Sequence, residues 1–409
     1  RKLRPDMVLL SGGVDGGVQK HVVEMAQLFG AADPRPRLGV NYKLPVIFAG
    51  NKDVREQIKK ILGSKTALEI VDNIRPTLEE ENLQPARLKI QSQFLEHVMA
   101  HAPGYPKLMA MTDEQIMPTP AAVGMIMERV AQTRSINILG VDIGGATTDV
   151  FSVFDGHFNR TVSANYGMSY SISNVVAEAG LNNVMRWVPF DVDEAQLRNR
   201  IKNKMIRPTS IPYLMEDLEI EQAICREALR LSFEQHALLA DGLKGVQHQA
   251  EIGSIFSQGE KRSLIDPMRL DMLIGSGGVL SHAPERWQTA WMLLDSYLPC
   301  GITQLAVDSI FMMPQLGVLS SILPEAAAYV FEKDCLIELG TCVAPRFTNG
   351  RALAPGQDLL KVELEGQAPF TLHMGEIKVQ KLPVGQSIKA RLFPLSRTDL
   401  GQGAGQVVE

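Results

Sequence analysis

One short run, residues 142–150, combines two carboxylates, two glycines and two hydroxyls. The apolar stretches on its two sides, residues 136–141 and 150–154, predict strands, so the run should form a β-hairpin turn. Glycine lets the backbone approach an anion closely and point free N–H groups at it. Asp142 and Asp149 are suited to hold hydrated Mg²⁺ or to order a water. The run therefore indicates phosphate and Mg²⁺ chemistry, although a Gly-Gly hairpin with Asp and Thr is also common turn chemistry.

A second glycine-rich run, residues 272–284, has the pattern of an apolar strand, a bend and a helix start. The bare backbone of such a bend suits a flat adenosine group. An ordinary strand-to-helix turn would have the same residues, but the two runs together in one chain favour a nucleotide site. His282 could contact the base or the ribose, or could be a plain loop histidine.

The two runs resemble motifs of the actin, sugar-kinase and heat-shock chaperone superfamily. Residues 142–150 are similar to its second phosphate motif, and residues 277–284 are similar to its adenosine motif, with one more residue before Pro284 than in the commonest form. The resemblance implies an α/β fold of the actin-like ATPase (ribonuclease H-like) type with two lobes. It also implies ATP and Mg²⁺ as cofactors.

The resemblance implies two groups of site residues. The catalytic group is Asp142, Asp149 and Thr147, and its two aspartates would also hold the metal. Thr147 and Thr148 would donate to the γ-phosphate. The nucleotide-binding group comprises Gly144, Gly145, Ala146, Thr148, Gly275, Gly277 and Gly278.

Three further stretches, residues 4–17, 45–51 and 118–123, look like the glutamate mutase L family, and this resemblance covers nearly the whole chain. Members are accessory proteins of adenosylcobalamin-dependent carbon-skeleton mutases, such as methylaspartate (glutamate) mutase. The resemblance implies a chaperone in which ATP hydrolysis drives lobe closure and the release of damaged cofactor. The expected partners are the mutase subunits.

The first phosphate motif of the superfamily, an Asp-x-Gly-Ser/Thr-Thr hairpin, is not found upstream of residue 142. Because the chain opens at Arg1, we expect a fragment whose first lobe is incomplete. Residues 334–342 superficially resemble the missing hairpin, but they follow the adenosine motif, and we predict a strand there.

The first third of the chain alternates apolar runs with amphipathic segments, which predicts a parallel, doubly wound sheet with helices on its faces. For a glycine-rich loop after the first strand, residues 11–17, a tight turn is favoured over a phosphate loop, because the loop has no G-x-G-x-x-G register and no Walker lysine. The expected domains are a partial first lobe (1–133), a second lobe with both motifs (134–347) and a small β-rich domain (348–409).

Further elements are predicted from periodicity. The predicted helices cover residues 118–132, 191–204 and 216–240, with a pair of buried helices within 305–331. Residues 166–179 are predicted to contain a turn at Gly167 and then a helix start. In the C-terminal domain, the predicted strands cover residues 359–365, 370–373, 377–382 and 387–393. On the helix over 216–240, Arg226, Glu227 and Arg230 are expected to face outward as solvated charges; the alternative is that the arginines touch adenosine from the side.

Composition excludes several classes of protein. The 409 residues carry a net charge of −5 without a basic cluster, so we expect no nucleic-acid partner. The most apolar stretch is interrupted by charges and prolines, so we expect no membrane span. The four cysteines have no C-x-x-C spacing, which predicts reduced thiols in a cytoplasmic protein. A metal pair at His97 and His101 is disfavoured against a solvated helix face.

Two other functions remain open from the residues. One is a small-molecule kinase or a hydantoinase-type ATP-dependent hydrolase of the same fold, because such hydrolases also carry an Asp-x-Gly-Gly-x-x-Thr-Asp run. A kinase would need a general base, for which Asp308 and Asp271 are available. The other is a filament-forming actin relative, for which no polymer-contact signature is visible.

Overall fold

The computed structural model describes residues 5–36, 42–78, 80–97, 99, 103–114, 116–240, 264–348, 353–395 and 397–409. The chain divides into two compact units. Of the described residues, those from 5 to 114 and residue 116 form one unit, and those from 117 to 240 and from 264 to 409 form the other.

The division falls before α5 (Thr119–Arg134), not after residue 133 as predicted. The reason is tertiary packing, since α5 lies against α12 (Met313–Ser320) at very close range. A Cβ on Gly317 would be only 1.9 Å from the carbonyl oxygen of Ala122. Helix α5 therefore belongs to the second unit.

The first unit contains a parallel sheet in the order β1-β2-β3. Its elements are β1 (Val8–Leu10), α1 (Lys20–Ala32), β2 (Pro45–Phe48), α2 (Arg55–Leu62), β3 (Ala67–Ile70), α3 (Gln84–His97) and α4 (Tyr105–Met109). Helices α1 and α2 share a buried cluster with Val46 and Phe48, whereas Ile47 points to the opposite face and α3 packs against β2 outside that cluster. The predicted alternation of strands and helices is confirmed.

The loop over residues 11–17 is a tight turn, as favoured from the sequence. Gly13 and Gly16 have φ angles of +72° and +77°, which glycine adopts without strain. The N–H of Gly16 donates to Asp53 Oδ2 at 3.0 Å, and Asn73 Nδ2 donates to the Gly13 carbonyl at 3.0 Å. The loop is thus held by side chains that follow β2 and β3.

The second unit is built on a six-stranded sheet in the order β6-β5-β4-β7-β8-β9. Strands β4, β7 and β8 are parallel, and the other neighbouring pairs are antiparallel. The strands are β4 (Ile138–Ile143), β5 (Thr148–Phe154), β6 (His157–Ser163), β7 (Met272–Ser276), β8 (Gly301–Asp308) and β9 (Leu336–Ala344).

Helices cover both faces of this sheet. One face packs on α5, α12 and α13 (Pro324–Val330) around Ile138, Met272 and Ala306. The other packs on α6 (Ile172–Ala179), α9 (Met215–Ala240) and α11 (Arg286–Tyr297). Short or peripheral helices complete the unit: α7 (Leu181–Met185), α8 (Glu194–Ile206) and α10 (Gly278–Ser281). The α/β class is confirmed, and the actin-like assignment stays a prediction.

Three element predictions differ from the structure. Residues 305–308 finish strand β8, so the predicted helix pair within 305–331 is reduced to α12 and α13. The helix predicted within 166–179, after the Gly167 turn, begins only at Ile172. The reason is that residues 168–170 donate backbone hydrogen bonds to the turn after β4. Residues 377–382 form no strand; Ile377 and Val379 are exposed. No helix in the described residues is long and apolar enough to cross a membrane.

The C-terminal segment is β-rich, as predicted. It contains a sheet in the order β12-β11-β13 and a short pair, β10 with β14. The strands are β10 (Arg346–Phe347), β11 (Asp358–Leu364), β12 (Phe370–His373), β13 (Ala390–Pro394) and β14 (Thr398–Asp399). Its small buried cluster also includes Ile302 of β8 and Val343 of β9, so the segment shares its core with the second unit.

A buried histidine joins α9 to the sheet. His236 is fully buried; its Nδ1 lies 2.8 Å from Thr161 Oγ1, and its Nε2 lies 2.9 Å from Ser152 Oγ. Burial lowers the pKa of His236 to about 4. The unfolded chain therefore takes up this proton first as pH falls, and folding stability is lost from about pH 6.5 towards pH 4.

We expect His236→Gln to remove this pH dependence, because glutamine can hydrogen-bond but does not titrate. Between pH 7 and pH 5 the unmodified chain should lose about 2 kcal/mol more unfolding free energy than the variant. Urea denaturation of both proteins at the two pH values measures the difference. Parallel stability changes in the two proteins would contradict the assignment.

Candidate functional site

Four polar side chains form a row across the ends of four neighbouring strands. Asp142 is the cross-strand partner of Asp149 on β5 and of Ser276 on β7. Ser276 Oγ lies 3.4 Å from Asp308 Oδ2, at the end of β8. We call Asp149, Asp142, Ser276 and Asp308 the acidic row. It lies at the carboxyl ends of the parallel strands β4, β7 and β8, where open α/β sheets bind ligands.

The two predicted catalytic carboxylates are buried side by side. Asp142 is 7% exposed and Asp149 is 4% exposed. The Oδ1 atom of each is buried and has no hydrogen-bond partner in the described part of the chain. Two orphaned anionic oxygens in low dielectric are costly unless a ligand supplies protons or positive charge.

The pKa values of Asp142 and Asp149 also indicate that the pair suits a bound proton or cation. Burial raises the pKa of Asp142 to about 7, and the negative charges of Asp149 and Asp308 add to the rise. Burial raises the pKa of Asp149 to about 6, against the opposing effects of Arg160 and of the Thr147 hydroxyl. A bound cation would reverse both shifts, because it favours the ionised form.

Asp308 differs from the other two carboxylates because its oxygens have partners. Its Oδ1 accepts the N–H of Met312 at 3.2 Å, and its Oδ2 accepts the N–H of Met313 at 3.0 Å. It therefore caps the start of α12. Asp271, the other carboxylate considered as a base, lies before β7 at the opposite end of the sheet and accepts the N–H of Asn137.

The turn after β4, residues 144–147, is the phosphate loop predicted from the sequence. Its carbonyl groups are held by residues 166–171, which we call the latch segment. The loop carbonyls accept four hydrogen bonds from this segment: Met168 N–H to Gly144 O at 2.9 Å, Ser169 N–H and Tyr170 N–H to Gly145 O at 2.8 and 2.9 Å, and Ser171 Oγ to Ala146 O at 2.7 Å. Gly167 packs against Ala146 with room for no Cβ.

The N–H groups of the same loop are left free. Within the described residues, the N–H groups of Gly145, Ala146 and Thr147 donate to no protein acceptor. Consecutive N–H groups without a protein acceptor are available as donors to an anion. The loop can therefore bind a phosphate beside the acidic row.

The structure separates the two threonines of the run. Thr148 is fully buried, and its hydroxyl donates to the carbonyl of Tyr166. It fixes the latch segment, so in this arrangement it does not face a ligand as predicted. Thr147 is partly exposed, and its hydroxyl makes a long 3.4 Å contact with Asp149 Oδ2. Thr147 stays a candidate ligand residue.

The three glycines predicted to bind adenosine have different surroundings in the structure. Gly277 has a φ of +100°, and a Cβ there would lie 2.2 Å from the carbonyl oxygen of Ile143. Nothing lies within 4 Å of a Cβ on Gly278, which leaves open space for a ligand. Gly275 is buried in β7 and packs against Leu280 and Leu293, so its role is packing rather than ligand contact. His282 ends α10 and is exposed.

Helix α9 corrects the expectation of solvated charges. Glu227 is fully buried and accepts hydrogen bonds from Trp187 Nε1 at 2.8 Å, Arg186 Nη2 at 2.9 Å and Arg230 Nη2 at 2.8 Å. Arg226 Nε pairs with Asp295 Oδ2 on α11 at 2.7 Å. Both arginines are engaged with acids, so neither is free to contact adenosine in this arrangement.

Other predicted ligand groups carry no site. No three His, Cys, Asp or Glu side chains cluster as a metal cage in the described ranges. His101 lies outside the described residues, so the His97 pair is untested. All four cysteines are free thiols: Cys225 and Cys335 are buried, and Cys300 and Cys342 are partly exposed.

Two features of the site escaped the sequence reasoning. Ser276 stands within the adenosine run, but only strand register shows that it lies beside Asp142. The latch segment carries no motif that we recognised, and its Gly167 was taken only as a turn residue. The signal that could have found it is the cluster of small and hydroxyl residues over 167–171, just before an apolar helix.

The comparisons with known proteins can now be stated. A family model described as MutL protein matches residues 1–335. Protein MutL of Clostridium tetanomorphum is 25% identical over 354 residues, which cover 80% of this chain and 72% of that protein.

Two solved structures are also similar. Component A of the Acidaminococcus fermentans (R)-2-hydroxyglutaryl-CoA dehydratase is 15% identical with a TM-score of 0.28, covering 62% of this chain and 88% of that chain. The nucleotide-free structure of an acetone carboxylase, from work on ATP-dependent acetone carboxylation, is 10% identical with a TM-score of 0.26, covering 88% of this chain and 61% of that chain. At these scores neither structure bears on the argument.

Proposed function

The chain belongs to the MutL protein family, and we propose that it is an ATP-dependent accessory protein that reactivates an adenosylcobalamin-dependent carbon-skeleton mutase. The mutase would be of the glutamate (methylaspartate) type, and the protein would act as a chaperone that drives the release of damaged cofactor. The observation that carries the proposal is the pair of orphaned oxygens, Asp142 Oδ1 and Asp149 Oδ1, next to the free N–H groups of the phosphate loop. An actin-like ATPase fold with two lobes is part of the proposal.

The residues present fit Mg²⁺ and a nucleotide phosphate. Mg²⁺ keeps several of its waters and needs only one or two carboxylates besides the phosphates, which is the donor set that Asp142 and Asp149 offer. Both have a buried oxygen without a partner. Bound Mg²⁺ would supply the positive charge that stabilises the phosphates during transfer to water.

The chain's own residues have separate tasks in this proposal. The N–H groups of Gly145, Ala146 and Thr147 donate to phosphate oxygens. Asp142 Oδ1 and Asp149 Oδ1 would hold hydrated Mg²⁺ and would orient the attacking water. Gly278, which has open space above it, receives the adenosine, and Gly277 fixes the turn against the end of β4.

The link to the mutase must be a difference in affinity between nucleotide states. A ligand shifts a conformational equilibrium only as far as it binds the two states differently. The protein would therefore bind the inactivated mutase differently with ATP and with ADP. No cobalamin-binding motif is recognisable in the sequence, so the cobalamin contacts are assigned to the mutase.

The test uses a mutase inactivated by bound cobalamin that has lost its adenosyl group. We expect the chain, Mg-ATP and fresh adenosylcobalamin together to restore mutase activity, with release of the damaged cofactor seen in the visible spectrum. Omitting ATP or replacing Asp142 by Ala should prevent both. ATP turnover that rises with small alcohols or cyclic amides, and not with the mutase, would overturn the proposal.

The kinase alternative lacks a free base at the two positions considered for it. Asp308 uses both oxygens to accept N–H groups of α12, and Asp271 is at the far end of β7. A carboxylate engaged in this way is a weaker base. The lack of a free base at these two positions favours the accessory-protein function over phosphoryl transfer to a small molecule.

A further inference from the structure

One hydroxyl of the latch segment stands against the phosphate loop without a bond. Ser169 Oγ lies 3.3 Å from the point where a Cβ on Gly145 would sit. Ser169 is partly exposed, and its hydroxyl bonds to no group in the described part of the chain. Its backbone N–H donates to the Gly145 carbonyl at 2.8 Å, so the residue is held in position without its side chain.

Two other hydroxyls around the loop are engaged within the fold. The hydroxyl of Thr148 donates to Tyr166, and Ser171 Oγ donates to Ala146 at 2.7 Å. Both tie the latch segment to the loop. The sequence assigned a phosphate hydroxyl to Thr148, but the structure buries it, and the hydroxyl that lies against Gly145 is that of Ser169.

We propose that Ser169 Oγ donates a hydrogen bond to the phosphate chain of the bound nucleotide, a role that rests on the proposed function. The hydroxyl stands beside consecutive N–H groups that have no acceptor, so an anion bound there would gain a further donor from the side. A hydroxyl-to-phosphate bond is charge-assisted and stronger than a neutral one. A Cβ on Gly145 would lie 3.3 Å from this hydroxyl, a tight contact.

The experiment measures the binding of Mg-ATP and of Mg-tripolyphosphate, which has no ribose, by calorimetry. We expect Ser169→Ala to weaken both ligands by the same factor, roughly 10- to 100-fold, the range for a hydrogen bond to a charged group. Ser169→Thr keeps the hydroxyl and should restore most of the affinity. The melting temperature without ligand should not change, because no protein group loses a partner.

Two variants separate this role from a structural one. Ser173→Ala removes a hydroxyl from α6 that likewise has no hydrogen-bond partner in the described residues, and this variant should bind both ligands like the unmodified chain. Ser171→Ala removes the 2.7 Å bond to Ala146 and should lower the melting temperature.

The outcomes are distinct. Unchanged affinity in Ser169→Ala would overturn the Ser169 role alone, as would a loss confined to ATP, which would mean a ribose contact. A lower melting temperature in Ser169→Ala would assign the hydroxyl to folding and overturn it too. No binding of either ligand by the unmodified chain would overturn the nucleotide site itself.

Discussion

Asp142→Asn is expected to weaken Mg-ATP binding strongly while making the free chain more stable. The carboxylate is one of two protein ligands available to the metal, and asparagine cannot offer the same charge. Loss of one charge-assisted contact in a buried site predicts an affinity lower by roughly 100-fold. Isothermal titration of Mg-ATP into both proteins measures it.

The stability gain follows from the pKa of Asp142. Burial raises this pKa from 3.8 to about 7, so the folded chain holds the proton more tightly than the unfolded chain. The stability that this group contributes is present below about pH 4 and is lost as pH rises through 7. Asparagine does not titrate, and its amide can donate to the orphaned Asp149 Oδ1. At pH 8 the variant should be more stable by up to about 4 kcal/mol.

Urea denaturation at pH 5 and pH 8 gives the two unfolding free energies. The gap between variant and unmodified chain should widen from pH 5 to pH 8. Asp191→Asn is the matched control, because it removes the same charge at an exposed position and should change neither affinity nor stability. A variant that binds Mg-ATP normally, or is less stable at pH 8, would refute the role of Asp142.

Gly277→Ala is expected to have the second large effect, a loss of folding stability. The φ of Gly277 is +100°, and the added Cβ would lie 2.2 Å from the Ile143 carbonyl oxygen. The strained φ angle and the clash between two backbone segments together predict that the free energy of unfolding falls by about 3 kcal/mol or more. The turn sits on the last residue of β4, next to Asp142, so Mg-ATP binding should fail as well.

The neighbouring glycine is the control for Gly277. A Cβ on Gly278 meets nothing within 4 Å, and the residue is helical, so Gly278→Ala should keep or slightly raise the stability. Its Mg-ATP affinity should fall nonetheless if adenosine lies against that backbone. Chemical denaturation and calorimetry on the two variants give the comparison. If Gly277→Ala unfolds at the same urea concentration as the unmodified chain, the packing argument is wrong.

Local patterns predicted much of the fold. The alternating strands and helices of the first unit, the hairpin around residues 144–147 and the strand–bend–helix at Gly277 were all read from periodicity and glycine spacing. The predictions failed where contacts with residues distant in sequence decide the local structure. The apolar run ending at Asp308 suits a buried helix or a buried strand equally, and only its pairing between β7 and β9 makes it a strand.

The candidate site divides in the same way. Sequence identified Asp142, Asp149 and the glycines of both runs, because a tight turn and its ligand chemistry are local properties of a few consecutive residues. It misjudged Thr148, whose hydroxyl is used within the fold.

By itself, the sequence determined most of the strands, the two glycine turns and the carboxylates beside the first of them. Only the tertiary structure decided which carboxylates lie together, because Asp142, Ser276 and Asp308 become neighbours through the register of three strands far apart in the chain. The tertiary structure also decided which hydroxyl is free. A hydroxyl is available to a ligand only when it does not donate to a buried carbonyl. The packing of the latch segment on the loop decides which hydroxyls donate in this way.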